Sequence, residues 1–140
     1  MYNTPAVIHN ISMSGELVTK AAKLKLVDGI VEIRIAEGVD QTLEMAQENL
    51  QATAKLSEGK PRPLLLDLRK AVPLQSHVRR YYTAREIIDQ HLAIGVLIES
   101  SAFGRAMGNF YMRVADSAGN KKLFTDESEC KKWLKNFLRP

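Results

Sequence analysis

The segment Arg62-Pro63-Leu64-Leu65-Leu66-Asp67-Leu68 constrains the fold of this chain more than any other stretch. Its apolar residues are continuous instead of alternating, and prolines stand at and just before its start. A short continuous apolar run between chain-breaking residues is typical of a strand that is buried on both faces of a parallel sheet. We therefore predict one central strand here. Because such sheets meet ligands and partners at the carboxyl ends of their strands, the loop at residues 69–76 is the first place to look for function.

Residues 22–35 have the pattern of a β-hairpin. Two alternating runs flank Asp28-Gly29, and a two-residue type I′ turn favours such residues because both central positions need positive φ. The expected register pairs Val27 with Ile30, Leu26 with Val31, Leu24 with Ile33 and Ala22 with Ile35. It puts the apolar side chains on one face of the sheet. On the outer face, Lys25 is expected opposite Glu32 as a cross-strand charge pair.

Apolar residues at spacings of three and four predict helices after the hairpin and after the central strand. The first helix is expected over residues 41–57, with Asp40 as its N-cap and Gly59 at its end. Its predicted buried stripe is Leu43, Ala46, Leu50 and Ala54. The second helix is expected from Ser76, as an N-cap, to about Gln90. Its predicted buried stripe is Val78, Tyr81, Ala84 and Ile88.

The second half of the chain continues the alternation of strands and helices. A buried strand is predicted at residues 91–99, a third helix after a cap at Ser100 or Ser101, and a short strand at residues 121–124. The last helix is expected to open with Asp126 and Glu129 as a capping box. The predicted buried stripe of the third helix is Phe103, Met107, Phe110, Tyr111 and Val114. Gly104 and Gly108 are expected to allow close packing on the sheet, and the alternative is a notch where a partner docks. The predicted buried stripe of the last helix is Cys130, Trp133, Leu134, Phe137 and Leu138.

This order of elements predicts an α/β domain with a mixed, mostly parallel sheet, an N-terminal β-hairpin and about four helices. At 140 residues, the chain is long enough for one well-buried core and too short for two ordinary domains. Residues 1–21 have no clear period, and we expect an irregular N-terminal arm or an edge strand there. The single domain is expected to span residues 22–140.

The net charge, the cysteine count and the apolar content of the sequence limit the classes of protein to which this chain can belong. The net charge of +4 is mild, and the basic residues of the last helix alternate with apolar ones as on a solvated surface, so we expect no nucleic-acid partner. One cysteine cannot form an internal disulfide, which fits a reducing compartment. The sequence contains no stretch of the length needed for a transmembrane segment and no pattern of a secretory leader, so a cytoplasmic location is expected.

The Leu-Leu-Leu-Asp-Leu strand, a helix that starts about ten residues after Asp67, and the closing Lys-Lys-Leu-Phe-Thr-Asp-Glu-Ser-Glu-Cys-Lys-Lys-Trp-Leu at residues 121–134 resemble the STAS-like superfamily. Within it, residues 22–138 are similar to a bacterial group described as resembling the anti-sigma-factor antagonist SpoIIAA. The Gly-Asn-Phe-Tyr segment at residues 108–111 also resembles that group. The resemblance implies a STAS-like fold more strongly than any particular function.

In the antagonists, the loop after the central strand ends in Asp-Ser-Ser-Gly, and a partner kinase phosphorylates the second Ser. The matching residues 75–78 read Gln-Ser-His-Val, so His77 stands where that Ser would be and the phosphoswitch is not expected. The resemblance still implies a docking surface at residues 72–80. Its interaction candidates are Ser76, His77, Arg79 and Arg80. The structural alternatives are a plain N-cap for Ser76 and an exposed first-turn residue for His77.

No motif in the sequence indicates catalysis or metal binding. Asp67 could suggest the phosphoacceptor strand of a receiver domain, but the acidic pair and the Lys that such a site requires are missing from their places. His9, His77 and His91 lie far apart and have no Cys partner, and neither a Walker loop nor a Gly-x-Ser-x-Gly elbow occurs. We expect no catalytic residues, no cofactor and no enzyme activity.

Two functional hypotheses remain. The first is a protein-interaction module that presents residues 72–80 to an unidentified regulatory protein, with self-association as a homodimer as a further expectation. The second is a protein that binds a small ligand, a nucleotide or a lipid head group, with an anion bound at the start of the third helix. Its ligand-binding candidates are Ser100, Ser101, Arg105 and Asn109. A pocket of several hundred cubic ångströms would favour the second hypothesis, and a tightly packed core with a flat exposed patch the first.

Overall fold

The computed structural model of the chain describes residues 15–82, 84, 90–106, 109 and 120–139. Its elements, in order, are β1 Glu16–Val18, β2 Ala22–Val27, β3 Ile30–Ile35, α1 Leu43–Ser57, β4 Arg62–Asp67, α2 Ser76–Tyr82, β5 His91–Leu97, β6 Lys121–Phe124, α3 Glu127–Leu134 and a 3-10 turn at Lys135–Phe137. A helical turn at residues 102–106 follows β5. The predicted α/β class and the predicted order of elements are confirmed.

The six strands form one sheet in the order β1-β2-β3-β4-β5-β6. The first three strands are antiparallel, while β4 pairs in parallel with β3 and β5, and β6 pairs in parallel with β5. The predicted central strand is therefore confirmed as β4, whose Leu64 and Leu65 are buried in different core clusters. Within the predicted arm, β1 is an edge strand, and residues 1–14 lie outside the described part of the chain.

The hairpin has the predicted turn and register. Asp28 and Gly29 have φ angles of 51° and 83°, as a type I′ turn requires, and all the expected cross-strand pairs form. One expectation was wrong. Glu32 does lie opposite Lys25, but it is only 6% exposed and its ion pairs are with Arg34 and Lys131. The face predicted to be outside is covered by α3, so the Glu32 carboxylate is buried there and pairs with two partly exposed cations.

The two faces of the sheet carry separate cores. One face, with Leu24, Ile33, Leu64 and Ile94 among its buried residues, is covered by α1. The other packs against α3 through the residues Ile30, Leu65, Ala93, Cys130 and Leu134. The glycine at position 95 allows α3 to approach β5 closely, because a Cβ built there would lie 2.5 Å from the Cys130 Sγ. Cys130 is a buried core residue, as predicted.

The first helix differs from its prediction at its start and on its buried face. It begins at Leu43, and the Thr42 side chain accepts the Met45 N–H at 3.2 Å, so Thr42 and not Asp40 is the N-cap. Its buried residues are Ala46, Asn49, Ala52, Thr53 and Leu56. Leu43 and Ala54, from the predicted stripe, are exposed. The prediction failed because it counted only apolar residues, whereas two of the buried side chains are polar.

The second helix starts one residue earlier than predicted. The carbonyl of Gln75 accepts the Arg79 N–H at 2.9 Å, which gives Gln75 the N-cap position and puts Ser76 in the first turn. Val78 is fully buried, as predicted. The predicted continuation to about Gln90, including Ile88, falls largely on residues outside the described part.

Ser101 caps the helical turn at residues 102–106, because its hydroxyl oxygen accepts the Gly104 N–H at 3.0 Å. Gly104 packs closely, since a Cβ there would lie 2.5 Å from the Glu99 carbonyl oxygen. Phe103, predicted to be buried, is 58% exposed. The other members of the predicted stripe and Gly108 lie outside the described residues.

The last helix opens as predicted, with the Asp126 side chain accepting the Glu129 N–H at 3.1 Å. Its regular part ends at Leu134 and tightens into the 3-10 turn. Cys130 and Leu134 are fully buried, but Leu138, the last member of the predicted stripe, is exposed. The 3-10 turn ends at Phe137 and the backbone of Leu138 is extended, so Leu138 no longer follows the helical spacing of the stripe.

Candidate functional site

A cavity of about 250 Å³ lies between the sheet, the face of α1 that is turned towards the sheet, and the loop that follows β4. Its floor on the sheet is formed by Ile33, Ile35, Leu64, Leu66 and Ile94. Residues 71–74, in the loop after the central strand, form part of its wall, and Phe103 and Ala106 reach it from the helical turn after β5. The cavity therefore extends to the carboxyl end of β4, where the position of the central strand predicted a functional site.

Among the described residues, six polar side chains line the cavity: Gln41, Asn49, Thr53, Arg79, Tyr82 and His91. The first five come from the segment before α1, from α1 itself and from α2, and the sixth comes from β5. Most of the remaining wall is aliphatic. The arrangement is thus an apolar chamber with a small group of polar side chains, which is the usual composition of a small-molecule site.

The hydrogen bonds of Thr19 determine which atoms donate and which accept among these polar side chains. Its hydroxyl oxygen accepts the backbone N–H groups of Ala21 and Ala22 at 3.3 and 3.0 Å. Because both of its lone pairs are then occupied, the hydroxyl acts as a donor, and the Asn49 Oδ1 accepts its hydrogen. This bond orients the Asn49 amide, so that its nitrogen points towards the cavity side of the network.

Asn49, which is 2% exposed, donates from Nδ2 to the Tyr82 hydroxyl at 2.9 Å and to the Gln41 Oε1 at 3.4 Å. The Tyr82 hydroxyl in turn donates to the same Gln41 oxygen. Both hydrogen bonds of the Gln41 side chain are therefore received by its carbonyl oxygen. The orientation of the Gln41 amide follows from that of Asn49, and it leaves the Gln41 nitrogen at the end of the network.

Gln41 is only 3% exposed and lines the cavity. Among the residues that the structure describes, its Nε2 group has no hydrogen-bond partner. The polar end of the cavity therefore includes an amide group whose nitrogen is not used within the described network.

Arg79 adds a positive charge to the cavity wall. Its Nη1 donates to the Leu74 carbonyl oxygen at 3.1 Å, which holds the guanidinium against the loop after β4. Arg79 and Tyr82 are three residues apart on α2 and share one face of that helix. His91 also lines the cavity, and burial lowers its pKa to about 4, so that it is neutral at pH 7. At that pH, Arg79 is the charged side chain among the described lining residues.

A second polar cluster lies on the opposite face of the sheet, beneath α3. The Arg34 guanidinium bonds Glu127 at 2.8 Å and Asp67 at 3.0 Å, and Arg69 bonds Asp67 at 2.8 Å. The cluster has three cations, Arg34, Arg69 and Lys131, and three carboxylates, Glu32, Asp67 and Glu127. The hydrogen bond from Arg34 is the main reason that the pKa of Glu127 falls to about 2.

Because the carboxylates of this cluster each have cationic partners, it fastens α3 to the sheet. Within the described residues, no group of His, Cys, Asp and Glu side chains is arranged to hold a metal ion. Asp67, at the end of the central strand, is therefore a structural residue here: it receives the Arg69 backbone N–H at 3.1 Å together with both guanidinium groups. The cavity, on the other face, is the candidate site.

Residues 24–138 match the family described as a domain of unknown function, DUF7793. The chain belongs to this family. No curated protein matches it. This DUF7793 domain is similar in structure to an uncharacterized protein of the DUF3478 family with a SpoIIAA-like fold from Shewanella loihica PV-4, at 14% identity and a TM-score of 0.59. The match covers 94% of this chain and 99% of that one, and it confirms the SpoIIAA-like fold that the sequence resemblance implied.

In the structure of this DUF7793 domain, the four interaction candidates fall into two groups by their exposure. Ser76, His77 and Arg80 are exposed on the first turns of α2. Arg79 is half-buried and turns to the cavity. The loop predicted as a docking surface thus has an outer side, and an inner side that forms the cavity wall.

The four ligand-binding candidates are all exposed, and they do not line the cavity. The Ser101 oxygen is committed to capping the Gly104 N–H. Arg105 donates its backbone N–H to the Ser101 carbonyl, and Ser100 and Asn109 are exposed. Nothing in their placement brings them to the chamber. None of the helices in the described residues is long and apolar enough to cross a membrane.

The sequence interpretation missed Gln41, Asn49, Thr53 and Tyr82. A signal was present, because Asn49 and Thr53 continue the helical spacing of Ala46 and lead on to Leu56. Polar residues inside such a stripe are buried together with it and require partners. The partners themselves, Thr19, Gln41 and Tyr82, come from distant segments, and only the fold brings them together.

Proposed function

We propose that this DUF7793 domain is a non-catalytic binding module that takes a small, mainly apolar ligand into the cavity. The observation that carries the proposal is the combination of an aliphatic chamber with a buried, directed polar network at one part of its wall. Its position at the carboxyl end of the central strand supports the same function. The second of the two sequence hypotheses is thereby favoured, but at a site formed by other residues.

The volume of the cavity bounds the ligand. Its volume of about 250 Å³ is slightly below the usual range of about 300–1,000 Å³ for drug-sized ligands. We therefore expect a ligand smaller than a nucleotide or an intact lipid.

Displacement of a fluorescent apolar probe from the purified chain tests this function, together with native mass spectrometry for a co-purifying small molecule. Ala71→Phe, which places a ring in the cavity wall, is expected to weaken probe binding at least ten-fold. Ala102→Phe is the matched control, since Ala102 is exposed and outside the cavity lining. Equal probe binding by the two variants and the unmodified chain would contradict the proposed site.

A second candidate function is protein interaction, which the exposed first turns of α2 favour. Ser76, His77 and Arg80 are together at the surface there. A His77→Ala, Arg80→Ala double variant is expected to lose capture of a regulatory partner while its thermal stability is unchanged. If that variant bound the partner with full affinity, the exposed first turns of α2 would not be the docking surface.

Self-association stays a further proposal. Among the described strands, β1 lies at the edge of the sheet and has an exposed Val18, and pairing of edge strands is how many sheet proteins associate. Light scattering at micromolar concentration measures the mass directly. A monomeric mass there would exclude a stable dimer.

A further inference from the structure

We propose that the ring of Phe103 closes the mouth of the cavity over a bound ligand and controls how slowly that ligand leaves. The inference rests on the proposed function and adds to it the residue that retains the ligand. It depends on three features of the described residues: where the cavity wall is exposed, how the backbone beside Phe103 is held, and how much apolar surface this side chain leaves uncovered.

The exposure of the lining residues locates the mouth of the cavity. On the sheet, Leu64 and Ile94 are only 5% and 2% exposed, so the cavity is closed on that side. The exposed apolar lining residues among those described are Pro73, on the loop after β4, and Phe103 and Ala106, on the helical turn after β5. The cavity therefore opens to solvent between this loop and this helical turn, and Phe103 has the largest of the three side chains.

The backbone on both sides of Phe103 is held in place. The Ser101 hydroxyl oxygen accepts the Gly104 N–H at 3.0 Å, and the Ser101 carbonyl oxygen accepts the Arg105 N–H at 3.0 Å. Gly104 also packs against the Glu99 carbonyl oxygen, which would lie 2.5 Å from an added Cβ. The main freedom of the Phe103 ring is therefore rotation of its own side chain, which takes picoseconds to nanoseconds at an exposed position.

The Phe103 side chain is 58% exposed although it lines an apolar cavity. Apolar surface is unfavourable in water, and an aromatic side chain has a large area to bury. A ligand that fills the cavity to its mouth would bring apolar atoms under the ring and remove part of that surface from water. The ligand would then provide the burial that the helical spacing of Phe103 predicted.

The position of Phe103 at the mouth favours retention of the ligand over its capture. A ligand beneath the ring has to displace the ring, and to lose its contacts with it, before it leaves. Entry breaks no such contacts, because the exposed ring rotates freely while the cavity holds no ligand. Phe103 is therefore expected to act on the dissociation rate, where most differences in affinity between related complexes lie.

Stopped-flow fluorescence with N-phenylnaphthylamine, an uncharged apolar probe, measures both rates. Phe103→Ala is expected to raise the dissociation rate about ten-fold and to change the association rate less than about three-fold. Phe103→Leu, which keeps part of the apolar surface, is expected to give an intermediate dissociation rate. Leu138→Ala is the matched control and is expected to change neither rate, because Leu138 is also an exposed apolar residue but is not among the described lining residues.

A second measurement follows the side chain at position 103 itself. Phe103→Trp places an indole at the mouth, and saturation with octanol, which is not fluorescent, is expected to shift its emission to shorter wavelength and to reduce its quenching by acrylamide. The unmodified chain is the control, because its one tryptophan, Trp133, packs against Phe124 on the other face of the sheet. The emission of Trp133 is expected to stay the same when octanol binds. Circular dichroism shows whether each variant is folded.

The outcomes separate this inference from the proposed function. Equal dissociation rates for Phe103→Ala and the unmodified chain, an effect confined to the association rate, or an equal effect of Leu138→Ala would overturn the closing role of Phe103 while leaving the cavity as a binding site. An indole in Phe103→Trp that stays as exposed with octanol as without it would do the same. Failure of N-phenylnaphthylamine and octanol to bind the unmodified chain would overturn the proposed function itself. Faster release from Phe103→Ala but not from Leu138→Ala, together with octanol-dependent burial of the indole, would establish the inference.

Discussion

The Tyr82 hydroxyl donates its hydrogen to the side-chain oxygen of Gln41, a residue 41 positions away, and so joins the end of α2 to the segment that precedes α1. The same hydroxyl accepts the Asn49 amide hydrogen at 2.9 Å. One phenol group thus connects three segments around the cavity. Its loss would leave the Asn49 donor with only the longer bond to Gln41, at 3.4 Å.

Tyr82→Phe is therefore expected to lower the free energy of unfolding by about 1–2 kcal/mol, measured by urea titration. In a double-mutant cycle with Gln41→Met, the two substitutions are expected to be non-additive by at least about 0.5 kcal/mol, because they remove the two ends of one hydrogen bond. Strict additivity would mean that the Tyr82–Gln41 bond does not contribute to stability.

The Glu127 carboxylate is expected to make the free energy of unfolding depend on pH below about pH 4.5. Its folded pKa is about 2, below its ordinary value of 4.5, so its contribution is complete above about pH 4.5 and is lost as the pH falls towards 2. Glu127→Gln is expected to be less stable at pH 7 and to lose less stability over that range. Urea midpoints between pH 2 and 7 measure this. Glu129→Gln, on the exposed side of the same helix turn, is the control and is expected to behave as the unmodified chain.

His91 is expected to change the stability of the fold over a higher pH range, between about 4 and 6.5. Burial lowers its pKa from 6.5 to about 4, so the unfolded chain takes up a proton more readily than the folded one between these values. Stability is expected to be complete above about pH 6.5 and to fall as the pH drops towards 4. His91→Gln should flatten the thermal midpoint across this range. His77→Gln, at an exposed position, should not, and an equal effect of both would assign the dependence to other groups.

Gly95 tests the packing of α3 on the sheet. Gly95→Ala would put a methyl group 2.5 Å from the Cys130 Sγ, and overpacking of this kind is expected to cost about 1–3 kcal/mol of unfolding free energy. Cys130→Ala removes that sulfur, so adding it to Gly95→Ala should recover part of the loss. A double variant less stable than the sum of the two single effects would show that the clash lies elsewhere, for example with Leu134.

Local chemistry in the sequence was sufficient for several parts of this fold. Asp28-Gly29 determined a type I′ turn, and that turn set the complete register of the hairpin. The continuous apolar run of β4 indicated a central strand, and Asp126 indicated the start of α3. Each of these features depends on residues that are neighbours in sequence, and their conformational preferences act before any distant contact forms.

Only the tertiary structure decided the cavity and the partners of the buried polar groups. Asn49 is on the buried face of α1 because Thr19 and Tyr82, 30 and 33 residues away, supply its hydrogen-bond partners. Glu32 pairs with Lys131 because α3 covers a sheet face whose alternation suggested solvent. A polar side chain is stable in the interior only where complementary groups reach it, and that placement is a property of how distant segments pack, which spacing along the chain does not contain.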